Sequence, residues 1–523
     1  MSMNATVSTT SSASAASSTL SVGRRDFLKA AGTCGAVAAA GIAGTATAMA
    51  SEAEGIAWDY ETDVLVIGAG FAGMAAAIEA KEAGSDVILI EKMGMWGGNS
   101  SLNGGDMAAV GTPLQKEAGV EDSVDLMVND MLVTGKYYNH VEKVRKLVEN
   151  SAAAVEWLES IGVEFTKLNF HGGHSVARTN TTSNATGYDI TSAQDAYLEN
   201  VLGVEPMLNT KLVHLIEDAE GRIIGAEVRE GYTFGDEESG EVRYIKARKG
   251  VVVATGGFSQ DVQMRTVHEP RLTEEYGSTN QEGATGEALR EVLKHKAMDV
   301  HLDWIQLGPW CSPDEVGFGF CPQFCERLVG YGLMIDPATG RRFVKETGDR
   351  KERADKMLEL GHYTIILGDE PTVQRQVVER ILTGGLENGV ITKYDTLEEI
   401  ADAFDMPKDE FLDEIAKWNG YVEAGEDPEF GTMIQNGATP TETAPFYVAR
   451  LWPKVHHTMG GLHTNIDTQV IDQDFNPIPG LFAAGEVTGG THGAVRLGSC
   501  AITDCVVYGR IAGQQAAAQE SWE

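Results

Sequence analysis

Gly68, Gly70 and Gly73 stand in the spacing G-x-G-x-x-G, directly after an apolar run at residues 63–67 and directly before an alanine-rich stretch at 74–83. A second apolar run, Val87, Ile88, Leu89 and Ile90, ends on Glu91, 23 residues after Gly68. Strand, glycine turn, helix, strand and acid, in that order, suit a dinucleotide. The first glycine permits a tight turn, the second lets backbone approach a pyrophosphate, and the third lets helix pack on strand. The helix start, with Ala72 in its first turn, offers N–H groups and a positive dipole end to the phosphates. Glu91 is set to accept from a ribose hydroxyl, with Lys92 beside it. The fingerprint alone does not choose between FAD and NAD.

Other glycine turns follow. Gly97, Gly98, Asn99 and Ser100 come just after the second apolar run, and Asn103, Gly104 and Gly105 close behind. Residues 211–216 and 223–228 read as a hairpin turning at Ala219, Glu220 and Gly221. Residues 250–253 read as a strand entering Ala254, Thr255, Gly256 and Gly257, and residues 478–484 as a strand entering Gly485 and Glu486. Between them, at about 303–457, the character changes. Trp304, Trp310, Trp418 and Trp452 fall there, with helical patterns at 393–404 and 408–421. This stretch interrupts the dinucleotide fold and reads as an inserted capping domain, with a ligand site at the junction.

At 523 residues, 42% hydrophobic and 23% charged, the chain has the balance of a globular protein of several domains. Its 60 glycines come in clusters without a repeat, which excludes collagen-like and solenoid folds. The net charge is −36; residues 1–50 carry Arg24, Arg25 and Lys29 against Asp26, so they are +2 and the rest −38. Such acidity repels nucleic acid and anionic lipid. It suits plain solubility outside the cytoplasm or docking to a basic redox partner. Six cysteines make no disulfide framework, and no C-x-x-C-H offers a c-type haem site.

The leader resembles a twin-arginine signal. Arg24, Arg25, Asp26, Phe27, Leu28 and Lys29 precede a weakly apolar Ala/Gly run, and Ala48, Met49 and Ala50 precede a cleavage point. The run is too short and too rich in Gly and Ala to span a membrane. Export of a folded, cofactor-loaded protein to the periplasm or the extracytoplasmic membrane face is the expectation, with no transmembrane span in the mature chain.

Together, the glycine pieces resemble the flavoprotein family of soluble fumarate reductases, urocanate reductases, 3-ketosteroid dehydrogenases and aspartate oxidases, over about residues 60–515. The resemblance implies an α/β fold. A Rossmann-like FAD-binding domain of the glutathione-reductase type spans 56–302 and 458–523, an α+β capping domain is inserted at 303–457, and 1–50 is the signal peptide. It implies noncovalent FAD, passed by Ala254, Thr255, Gly256 and Gly257 and met by Gly485, Glu486, Arg496, Ala501 and Ile502. No metal is implied.

Three segments, 340–350, 455–461 and 489–498, match the fumarate-reductase branch. By that resemblance His456 and Arg496 grip a substrate carboxylate or carbonyl oxygen, with His457 beside them. Arg350 protonates the substrate, and Glu326, 24 residues earlier, reloads it. The chemistry needs those types: reduced flavin gives a hydride to one carbon of an activated C=C, and fixed donors hold the charge that builds on the activating group. Arginine is ordinarily always charged, so it serves as an acid only when held against the substrate near a reloading carboxylate. Against these roles, Arg350 could be a surface arginine of the charged run 349–353, His457 a core histidine, and His492 a turn residue near the flavin ring.

Departures from the branch bear on substrate. A histidine before Pro-Thr becomes Gly308, before Pro309 and Trp310; a threonine beside the acid becomes Cys325; the relay arginine three residues later becomes Val329. Arg327, Tyr331 or water are the replacements considered for that relay. Losing two donors disfavours a second carboxylate, so fumarate should be poor unless Arg327 or His174 restores the grip. Trp310, Phe318, Phe320, Phe324 and Tyr331 offer flat apolar surface, which points to an arylacrylate, then a steroid enone or unsaturated lactone. Cys311, Cys321 and Cys325 match no standard iron–sulfur spacing and read as buried thiols around the pocket; Cys500 and Cys505 read as packing against the sheet.

The expected activity is an exported FAD-dependent ene-reductase acting on CH–CH groups in anaerobic respiration. Its electrons come from a separate donor such as a membrane-anchored cytochrome or flavoprotein. The alternatives are a dehydrogenase or oxidase running in reverse on a ketosteroid or amine, a true fumarate reductase, or a flavin electron carrier.

Overall fold

The computed structural model describes residues 55–522, so the twin-arginine segment lies outside the described residues. The chain opens with β1 (Tyr60–Ile67), α1 (Phe71–Glu82) and β2 (Val87–Ile90). β1 and β2 pair in parallel, from Val64 opposite Val87 to Ile67 opposite Ile90. Val64, Leu65 and Val66 are buried, as befits a strand covered on both faces. Ten consecutive residues of α1, from Phe71 to Ala80, are buried, and its five alanines let it press close to its neighbours.

Next come a short α2 (Gly98–Leu102), α3 (Tyr188–Tyr197), the hairpin β3 (Thr210–Glu217) and β4 (Ile223–Glu230), and the long β5 (Glu241–Val253). The hairpin is the one legible in the sequence, and β4 extends the sheet by pairing antiparallel with β5.

The interrupting stretch begins with β6 (Ile305–Gly308), α4 (Cys321–Leu328), β7 (Leu333–Asp336), β8 (Arg341–Arg342) and α5 (Arg350–Leu360). It continues through β9 (Thr364–Asp369), β10 (Thr392–Tyr394), α6 (Lys408–Ala424), β11 (Phe446–Leu451) and β12 (Lys454–Thr458). Five of these strands form an antiparallel sheet in the order β8-β7-β9-β11-β10. β6 and β12, where the chain enters and leaves this stretch, pair antiparallel, with Gln306 opposite His457.

The chain then returns to the first sheet through β13 (Gln469–Ile471) and β14 (Pro477–Ala483), and ends in α7 (Cys500–Ala517). The resulting order is β13-β14-β5-β1-β2. α7 lies on α1 across a seam of small residues. A Cβ on Gly509 would come within 2.5 Å of the Ala72 carbonyl oxygen, and one on Gly513 would run into the backbone of Ala76. The architecture is mixed α/β, with a parallel dinucleotide sheet interrupted by a second, antiparallel one.

Candidate functional site

Two cavities meet in the dinucleotide half, sharing Phe71, Asn99, Ser100, Glu486 and Cys505 as walls. The first, of about 120 Å³, lies beyond the ends of β1 and β5. Its walls include Gly68, Gly70, Ala72, Glu91, Lys92, Gly98, Ala254, Thr255, Gly256 and Gly485. The fit to a dinucleotide is physical. Gly68 sits at φ +103°, and a Cβ there would lie 2.5 Å from the Ala254 carbonyl oxygen. Gly73 lines neither cavity; its missing side chain lets α1 close on the Gly68 carbonyl.

The polar residues of the cleft shape it. The Glu91 carboxylate accepts from the Ala69 and Met93 N–H groups at 3.0 Å each, and burial raises its pKa above the usual range. Lys92 Nζ donates to Thr285 Oγ1 at 2.7 Å. Ser100 Oγ accepts from the Phe71 N–H at 3.0 Å, tying α2 to the start of α1. Asn103 donates to the Ser100 carbonyl at 2.7 Å and accepts from the Gly105 N–H at 2.9 Å. Gly105 and Gly257 face neither cavity: side chains there would strike the Thr186 carbonyl and the Glu486 carboxylate.

The second cavity, of about 160 Å³, is where the two halves of the molecule meet. Asn103, Gly104, Ala501 and Ile502 line it from the dinucleotide half, together with Arg496. Trp310, Phe318, Glu326, Arg327 and Arg350 line it from the interrupting stretch, and His456 and His457 from β12. Residues far apart in sequence thus reach one space.

Arg350 is the first residue of α5, behind the Asp349 cap, so the positive end of the helix dipole acts on its cation. Its Nη1 donates to Gln306 Oε1 at 3.1 Å, while Gln306 Nε2 donates to the Arg496 carbonyl at 2.9 Å. Its guanidinium lies 5.2 Å from the Trp310 ring centroid. Burial lowers its pKa, and Glu326 partly opposes that. Arg496 is pushed down to about 9, by burial and then by the charge of Arg350. Its Nε is buried with no protein partner. Among the described residues, neither Arg350 nor Arg496 has a carboxylate within 4 Å. A buried cation left so is costly unless an anion joins it.

The His456 Nδ1 lies 2.8 Å from Thr279 Oγ1, and burial with Arg496 and Arg350 holds its pKa well below the ordinary value. His457 is neutral for the same reasons, its Nδ1 3.5 Å from Glu486 and its Nε2 unpartnered. Glu486, raised to about 7 by burial, accepts from the Thr458 N–H at 2.9 Å. His492 is buried beside His457, ring centroids 5.5 Å apart, with both nitrogens unpartnered.

Glu326 is held below the carboxylate range; burial would raise it, but Arg353 and Arg350 prevail. Arg353 Nη2 donates to Glu326 Oε1 at 2.9 Å. Opposite Glu326, then, stands neither Arg327, Tyr331 nor the Val329 position but Arg353, one helical turn after Arg350. Sequence reasoning missed it because it belongs to a different helix from Glu326. Arg327 lines the cavity and faces Asp106 at 3.5 Å.

Tyr331 is away from the cavity, its hydroxyl beside Gln376 and Arg375. Phe324, Cys311, Cys321 and Cys325 pack in the core of the interrupting stretch, so the thiols do not surround the pocket. Gly308 also stays off the cavity; a Cβ there would lie 2.7 Å from the Trp310 ring. Trp310 is 2% exposed even beside an open cavity, so it presents no flat face to an aromatic substrate. His174 is turned to the Gly498 carbonyl at 2.8 Å. Cys505, read as packing, faces both cavities. His171, Thr279 and Asp106 also line the pocket and carry no local motif.

Residues 63–502 match the FAD binding domain family. An acrylate reductase flavoprotein subunit from Shewanella woodyi is 42% identical over 94% of this chain and 97% of its own. A urocanate reductase from Eggerthella lenta is 37% identical over 89% and 76%. The open conformation of a flavocytochrome c3 fumarate reductase superposes with a TM-score of 0.71 at 34% identity, over 89% of this chain and 79% of that one. FAD is the cofactor these residues fit. The chain belongs to the FAD binding domain family and is an FAD-dependent oxidoreductase of the kind that reduces C=C bonds.

Proposed function

We propose that this flavoprotein reduces the C=C bond of a short α,β-unsaturated monocarboxylate of the acrylate class, with Arg350 as proton donor. The observation that carries the reading is the pair of buried arginines, Arg350 and Arg496, that share one cavity and, among the described residues, have no carboxylate within 4 Å. The substrate carboxylate supplies the missing anion. Neutral His456 lines the same cavity with its Nδ1 2.8 Å from Thr279 Oγ1, and in the tautomer with hydrogen on Nε2 it adds a second donor.

FAD held along Gly68, Gly70, Gly98 and Gly485 would supply hydride chemistry for the β-carbon. Arg496 and His456 hold the carboxylate as charge builds toward it. Arg350 gives a proton to the α-carbon; burial, the helix dipole and the neighbouring Arg496 all favour its loss. Glu326 and Arg353 return that proton. The similarity to an acrylate reductase subunit supports a small substrate, as does the closure of Trp310, whose ring is covered by Arg350 on a face and by His456 and Phe318 at T-shaped angles.

FAD is held noncovalently in this reading. The signal segment directs twin-arginine export, and electrons arrive from a separate carrier in anaerobic respiration. No helix among the described residues is long and apolar enough to cross a membrane.

Steady-state kinetics with acrylate, cinnamate and fumarate test the substrate. Acrylate should exceed both others by at least tenfold in kcat/KM. A tenfold lead for fumarate would show that Arg327 grips a second carboxylate, and a lead for cinnamate that the pocket opens around Trp310. Acid release of a flavin with the mass of FAD tests the attachment.

A further inference from the structure

The two sides of α2 face different surroundings. Gly98, Asn99 and Ser100 line the dinucleotide cavity, and Asn99, Ser100 and Leu102 the second. The helix therefore runs along the junction through which the flavin must pass. On its other side Ser101 Oγ meets Thr191 Oγ1 of α3 at 2.9 Å, and the Gly187 N–H donates to the Asn103 carbonyl at 2.8 Å.

This seam between α2 and α3 carries large apolar side chains at the surface. Met95 is 69% exposed and Tyr188 53%. Half-buried Trp96 stacks on Tyr188, centroids 5.8 Å apart and planes 17° from parallel. A grouped apolar surface of this kind marks an interaction site. Its border is acidic. Asp189, Asp195 and Glu199 follow along α3 and the turn after it, and no Lys or Arg lies between Arg178 and Lys211. Burial, and after it the charge of Glu199, raise the Asp195 pKa.

We propose that this patch is the docking surface for the protein that delivers electrons to the flavin, a one-electron carrier with an apolar centre and a basic rim. The proposal rests on the reductase reading above. A helix is about 10 Å across, so a carrier seated on α2 is within one helix diameter of the cavity junction. The acidic border, on a chain of net charge −36, steers a basic partner and repels an acidic one. Each turnover takes two electrons, one from each of two reduced carriers, and one proton from water. These leave together as the hydride, and Arg350 adds the second proton and takes another from water by way of Glu326, so C=C becomes CH–CH and two carriers are oxidised.

The test uses the holoenzyme and a lysine-rich c-type cytochrome as probe. Binding is measured by interferometry. Electron flow through the same surface is followed by mixing the reduced enzyme, freed of dithionite, with the ferric cytochrome. Met95→Lys and the pair Asp195→Lys with Glu199→Lys should each weaken binding and slow transfer at least tenfold. The pair should also flatten the dependence of rate on ionic strength. Flavin content and dithionite-driven reduction of acrylate should stay within twofold, as should every readout in Val267→Lys, which is exposed elsewhere. If a lysine variant loses flavin, Tyr188→Ser takes its place in the same measurements.

Wild-type binding and transfer rates in these variants overturn the proposal. So does a wild-type dimer that Met95→Lys makes monomeric while the cytochrome rate is unchanged, because the patch then joins two copies of this chain. Failure of the reductase reading looks different: acrylate is not reduced, yet the cytochrome still binds and the lysine variants still weaken it.

Discussion

The two cavities share five wall residues and are made of different material. The dinucleotide cleft is mostly backbone, shaped by what glycines leave out. A Cβ on Gly68 would approach the Ala254 carbonyl to 2.5 Å, and Glu91 and Ser100 spend their oxygens on main-chain N–H groups. The neighbouring cavity is mostly side chain. Its character comes from Arg350, Arg496, Glu326 and His456, whose buried charges and neutral rings depend on one another. Holding the cofactor is thus a matter of room, and turning over the substrate a matter of charge, so the two should fail separately.

The most severe separation is expected from Arg350→Ala. It should lower kcat for acrylate by about 10³-fold, within the range of a lost general acid, while flavin content stays at wild-type level. Arg350→Lys should rescue little, because the planar set of donors, one of them bonded to Gln306, is lost. Activity within tenfold of wild type in either variant would mean the proton comes from elsewhere.

Gly73→Val is the converse case. The added side chain drives α1 off the Gly68 carbonyl, and the purified protein should hold less than about a tenth of the wild-type flavin, read as the ratio of flavin to protein absorbance. The fraction that retains flavin should reduce acrylate at the normal rate, since no charged group has moved. Full flavin content in this variant would break the contrast.

Arg353→Met should slow kcat about tenfold with KM for acrylate unchanged, as expected of a group that reloads the acid without touching substrate. A rise in KM alone would mean Arg353 shapes the pocket instead.

The smallest effect, a few-fold at about pH 9.5, is one of pH. The Arg496 cation, with a pKa lowered to about 9, is present below that pH and lost above it. On the alkaline side kcat/KM for acrylate should therefore fall about tenfold per unit above pH 9. Bound carboxylate stabilises the cation, so kcat should hold to higher pH. A flat kcat/KM to pH 10.5 would remove Arg496 from the grip.

The contrast also explains what was legible in the sequence. The turns at Gly68, Gly98, Ala254 and Gly485 are local, each a few residues joined to a strand, so residue types and spacing suffice to place them in order. The hairpin of β3 and β4 is equally plain. The pocket is legible through the family pattern for Arg350, Glu326, His456 and Arg496, and those four do share a cavity. What escapes depends on direction. Tyr331 is a few residues from Glu326 yet points away. Arg353 is 27 residues from Glu326 yet bonds to it. Trp310 is aromatic and beside the cavity, but its ring is spent on Arg350, His456 and the space left by Gly308. Type and spacing carry none of that information.

The seam between α1 and α7 has a consequence for how the molecule is made. α1 leaves the ribosome early, but the helix that covers it, through Gly509 and Gly513 on Ala72 and Ala76, follows about 400 residues later. β14, which carries the chain to Gly485, emerges only shortly before. A nascent chain therefore exposes an alanine-faced helix and a half-built cleft until α7 has emerged. The cleft is complete only once α7 has docked on α1, which makes retention of flavin a report on that long-range closure as well as on local folding.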